Sequence, residues 1–104
     1  MIPREANPTF LNSFLDYSIT ILNKSPNTIK EYNYDIANFL KFIKLNTNPT
    51  KEVDLSEIDI SNMDISKIKE IKLEDIHRYI SYMATILKSS ASTRARKVSA
   101  LRVF

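Results

Sequence analysis

The chain predicts an all-α fold, a single compact domain of four main helices with a short extra helix between the second and third. Three observations carry this. Four apolar stripes recur at helical period with caps or breakers between them. The 104 residues have room for one domain, and 43% hydrophobic residues suffice for a modest core. Glycine is absent, which argues against hairpins, phosphate-cradling loops and dinucleotide-binding turns, all of which need positive φ.

Residues 1–6 read as a loose arm and 7–104 as the domain. Asn7 is placed to cap and Pro8 to open a first helix over 8–23, with Phe10, Leu11, Phe14, Leu15, Ile21 and Leu22 on its buried side. Asn23 and Lys24 make a tight corner into the second helix, 26–44. There Ser25 caps, Pro26 takes the first helical position, and Ile29, Tyr32, Ile36, Phe39, Leu40 and Ile43 form a broad apolar face. Opposite it lie Asn27, Lys30, Tyr34, Asn38 and Lys41, a line of amides, cations and one solvent-facing aromatic, with Glu31 and Asp35 beside it.

Asn46, Asn48, Pro49 and Thr50 mark a loop into an acidic connection with a short helix over 63–69. Leu55, Ile58, Ile60, Met63, Ile65, Ile68 and Ile71 recur there at mixed spacing and demand burial, so this connection pads the core. The third main helix, 73–88, turns Leu73, Ile76, Tyr79, Ile80, Met83 and Leu87 inward and His77 and Arg78 outward; Glu74 and Asp75 meet the dipole at its start.

The last main helix, 92–104, has Ser92 as its expected cap. Val98, Leu101 and Phe104 fall on one face, while Ser92, Arg96 and Ser99 point the other way, flanked by Lys97 and Arg102. From Ile76 onward there are six Lys or Arg and no acid, against eight acids and four cations between Leu45 and Asp75. The net charge of +3 thus covers a dipolar molecule with a basic end. Charges opposite an apolar stripe also form ordinary solvated surface; the second helix, with matching chemistry, shifts the reading toward a polyanion.

Zero cysteine excludes disulfides, thiolate metal sites and thiol nucleophiles. The first ten residues lack a secretory apolar run and no segment approaches the ~18 apolar residues of a membrane span, so a cytoplasmic location is expected, without membrane, cofactor, metal or small-molecule ligand.

Ser25, Thr28, Tyr32, Asp35, Ile36, Phe39, Phe42 and Ile43, followed by Ile71 to Ile76 and then Ser92 to Arg102, resemble in order and spacing the N-terminal core-binding domain of tyrosine recombinases. This is the SAM-like domain of Xer-type recombinases and phage integrases, and the resemblance spans Phe10 to Phe104. It departs from the family pattern at Lys72, where threonine is common, and in its long connection before the third main helix. The resemblance implies half of a clamp on double-stranded DNA, with the second and fourth main helices in the major groove and other recombinase protomers as partners. A catalytic domain would follow, and the chain is expected to be a fragment of such an enzyme. No catalytic residue is assigned here, since Tyr17, Tyr32, Tyr34, Tyr79 and Tyr82 all sit in helical patterns and His77 has no partner arrangement.

On this reading Lys30, Lys41, Arg96, Lys97 and Arg102 neutralise phosphates, while Asn27, Thr28, Tyr34, Ser92, Thr93 and Ser99 fix register. Thr28 and Arg94 sit at the edges of the apolar faces, and Arg94 is read either as a DNA contact or as snorkelling beneath its helix. Arg96 and Lys97 are expected to be dispensable for folding. The alternatives are a SAM-like protein-interaction module whose basic face binds an acidic partner, and a small free-standing DNA-binding regulator.

Overall fold

Pro8, extended at φ −67° and ψ 155°, sets the start of the first helix, α1 (Thr9–Thr20). The computed structural model describes residues 6–45, 55 and 58–103, the last two by backbone alone. Four further helices follow: α2 (Pro26–Leu45), α3 (Ser66–Lys69), α4 (Leu73–Thr85) and α5 (Ala91–Val103). The described residues contain no strand. The expected arm, apart from Ala6, and the loop at Asn46, Asn48, Pro49 and Thr50 lie outside them, as does Phe104.

α2 is the central element, packed against α1, α4 and α5. Its middle is therefore largely buried: Asp35, Ile36 and Ala37, then Phe39, Leu40, Lys41 and Phe42, are removed from solvent, while Asn38 is half-buried and Lys44 exposed. Leu11 and Leu15 of α1 and Tyr79, Tyr82 and Met83 of α4 complete the core with Ala100 of α5. Phe42 lies between two tyrosines, its ring centroid 5.1 Å from those of Tyr79 and Tyr82, and Phe39 meets Tyr79 edge-on at 5.3 Å.

The connection before α4 behaves as its isoleucines demand. Ile60 is fully buried, and Ile58, Met63, Ile68 and Ile71 pack on the core, while Ile65 stays exposed. Lys44 at the end of α2 ties this segment down by donating to the Asp59 carbonyl.

The corners correct several expected boundaries. α1 stops at Thr20 and α4 at Thr85, each three residues short of expectation, because the chain turns through Asn23 (φ 54°) and Lys88 (φ 53°) in the left-handed region. A chain without glycine assigns both positions to residues with a Cβ; asparagine adopts this conformation at little cost, lysine at roughly 1 kcal/mol. Ile21, Leu22 and Leu87 lie beyond the last helical turns, lose the register of the buried face and remain exposed, as does Leu73 at the very start of α4. Arg78 is also not free surface: it pairs with Asp75 at 3.6 Å and lies 5.3 Å over the Phe42 ring.

The two corners are internal copies. Residues 17–28 and 82–93 are identical at six of twelve positions, as Tyr17/Tyr82, Thr20/Thr85, Ile21/Ile86, Leu22/Leu87, Ser25/Ser90 and Thr28/Thr93. Their hydrogen bonds repeat as well. The amides of Ile21 and Leu22 return to Tyr17 and those of Ile86 and Leu87 to Tyr82, while Lys24 reaches Ser18 as Ser89 reaches Met83. Thr20 and Thr85 each bond the carbonyl four residues back, and Ser25 and Ser90 each accept the third amide of the next helix at 3.2 Å. Ser90 therefore caps α5, not Ser92, which lies inside the first turn.

Candidate nucleic-acid interface

The first half of α2 keeps one side open to solvent, and α5 lies beside the helix. Asn27, Lys30 and Tyr34 are exposed on α2, Tyr34 by half. Ser92, Arg96 and Ser99 are exposed on α5. Thr28 and Thr93 are half-buried, their hydroxyls held by the cap serines at 2.9 Å. The two helices form one surface, since Arg96 spans them: its guanidinium is 3.8 Å from Glu31 Oε1 and 3.5 Å from Asp35 Oδ1.

Two expected phosphate ligands are placed elsewhere. Lys41 is only 8% exposed, because it falls in the stretch of α2 from Phe39 to Phe42 that is enclosed by the rest of the fold. Lys97 turns inward and donates to Asp35 Oδ1 at 3.0 Å, with its ammonium 5.1 Å from the Tyr34 ring centroid. Asp35 is itself 1% exposed, so this is an ion pair between helices and not a free cation. The inward face of α5 consequently runs through Lys97 and Ala100, with Val98 and Leu101 half-buried at its edges. Arg94 donates back to the Ser89 carbonyl and secures the corner. The side chain of Arg102 lies outside the described residues.

Sequence reasoning missed the acids. Glu31 and Asp35 stand one helical turn apart on α2, which was a visible signal, but their partners lie more than 60 residues away in sequence. Asn7, expected as a cap, is instead buried and donates to Asn33 Oδ1 at 2.7 Å, which pins the residue before Pro8 to α2.

Elsewhere, a groove of about 550 Å³ lies at the far end of α2, among Lys44, Met63, Asp64, Lys67, Glu70 and Asp75. Its acids and cations offer a polyanion nothing. Among the described residues no three His, Cys, Asp or Glu side chains gather as metal ligands, and no helix is long and apolar enough to cross a membrane.

The sequence pattern of the phage integrase N-terminal SAM-like domain matches residues 10–104. The chain is 39% identical over 103 residues to a tyrosine recombinase, XerC, of Caldanaerobacter subterraneus subsp. tengcongensis. That alignment takes in 93% of this chain but 28% of the relative's length. No solved structure matches the chain at a significant level.

Proposed function

Because this chain belongs to the phage integrase N-terminal SAM-like domain family, we propose that it is the DNA-clamping domain of a site-specific tyrosine recombinase. It holds duplex DNA on the joint surface of α2 and α5, and strand cleavage and rejoining belong to a catalytic domain of the same enzyme. Other protomers of that recombinase assemble with it on the recombination site.

One observation carries the reading: the exposed half of α2 and the outer face of α5 form a continuous surface of cations, amides and hydroxyls at the capped starts of two helices. Lys30 and Arg96 supply charge there. Asn27, Tyr34, Ser92 and Ser99 supply hydrogen-bonding groups suited to phosphate oxygens and base edges. Thr28 and Thr93, engaged in the caps, set the backbone at each helix start and contact DNA through it.

With Lys41 buried and Lys97 committed to Asp35, three of the five cations that the sequence assigns to phosphates remain, Lys30, Arg96 and Arg102. The affinity of the isolated chain is therefore weak, and the log–log salt slope is about −3, against about −4 to −5 if all five cations took part. Titrating a labelled duplex at several salt concentrations measures the slope. Saturable binding indifferent to salt contradicts the reading, and no binding at low salt favours an acidic protein partner instead.

A further inference from the structure

The two ion pairs between α2 and α5 differ in kind. Asp35 is buried, and Lys97, whose side chain is 13% exposed, holds it at 3.0 Å. A carboxylate out of water requires a close cation, so Lys97 cannot leave without reducing that charge to the longer contact with Arg96 at 3.5 Å. Arg96 is surplus to this requirement. Its side chain is 44% exposed, its distances of 3.5 and 3.8 Å exceed the ~2.7–2.9 Å of a charge-assisted hydrogen bond, and Glu31 beside it is 54% exposed. Such a pair is worth little in water and yields to a stronger anion. The phosphate backbone is one: it offers bidentate acceptors and a high local density of negative charge. Glu31 is moreover the only acid among the exposed residues of this surface, since α5 carries none and the other exposed positions of early α2 are Pro26, Asn27, Lys30 and Tyr34.

We propose that Glu31 attenuates DNA binding by competing with a backbone phosphate for Arg96, which exchanges the carboxylate for phosphate on the duplex while Lys97 stays on Asp35. This rests on the DNA-binding reading above. The exchange subtracts from every phosphate contact Arg96 makes, whatever the base sequence, and so weakens the non-specific hold in particular.

The test is a double-mutant cycle on the 104-residue chain: the unaltered protein, Glu31→Gln, Arg96→Gln and the double variant, each titrated with a labelled duplex at one low salt concentration. Glu31→Gln should tighten binding by about 2- to 5-fold when Arg96 is present, the range an exposed ion pair spans. In the Arg96→Gln background the gain should fall below about 1.5-fold. An equal gain in both backgrounds means that Glu31 acts only as a nearby negative charge and overturns the proposal, as does no gain in either. Flat titrations for all four proteins overturn the DNA-binding reading itself and the proposal with it, a result distinct from equal shifts. Circular dichroism of each variant keeps the comparison to folded proteins.

Discussion

Lys97 and Arg96 are neighbours in sequence with opposite duties. Lys97 compensates a carboxylate that is 1% exposed; Arg96 lies outside, paired loosely with two acids. Lys97→Met should therefore destabilise the domain by about 3 kcal/mol, because it leaves the buried Asp35 carboxylate with only the longer, exposed contact to Arg96 at 3.5 Å. Arg96→Ala should change stability by less than about 0.5 kcal/mol and reduce DNA affinity. Denaturant melts of the two variants check the contrast, and equal melts would sink it. Combining Lys97→Met with Asp35→Asn should recover most of the loss, since the poorly compensated buried charge is then gone.

At the scale of elements, the duplicated corner explains how a chain without glycine makes two abrupt helix reversals. Each uses a left-handed residue, a return bond to the preceding helix and a serine cap. The cap position is testable. Ser90→Ala should cost about 1 kcal/mol, whereas Ser92→Ala, two residues further in and exposed, should cost under about 0.5 kcal/mol. Thermal melts of the two variants decide between Ser90 and Ser92 as the start of α5. The outcome also bears on binding, since this corner sets where α5 begins and hence where Arg96 stands against Glu31.

At the scale of the whole molecule, the core is organised around α2, and Tyr79 of α4 is its most telling ionisable group. Burial, with the nearby Asp35 charge adding to it, pushes the Tyr79 phenol well above the ordinary tyrosine range. The sign follows from linkage: the folded state binds this proton more tightly than the unfolded chain does. The contribution is thus whole below about pH 10, where unfolded tyrosine titrates, and is lost as pH rises toward the folded value. Denaturant midpoints compared at pH 9 and pH 11 should show an alkaline decline that Tyr79→Phe makes shallower. An unchanged decline would mean that other groups carry it.

The sequence alone determined the all-α class, the capped start of α2, the padding role of the isoleucine-rich connection and the SAM-like resemblance that the matched family bears out. These follow from local chemistry: caps act within one turn, and apolar side chains at helical spacing must be buried somewhere. The tertiary structure decided where helical register ends, so Ile21, Leu22 and Leu87 went from expected core to surface once the corners cut their helices short. It also decided which cations face outward. Lys41 and Lys97 are polar by type, but α2 is enclosed at Lys41 and the buried Asp35 draws Lys97 inward across a gap of 62 residues. Periodicity along one helix reports the side chains of that helix; the charge and the neighbours they meet come from segments that only folding brings together.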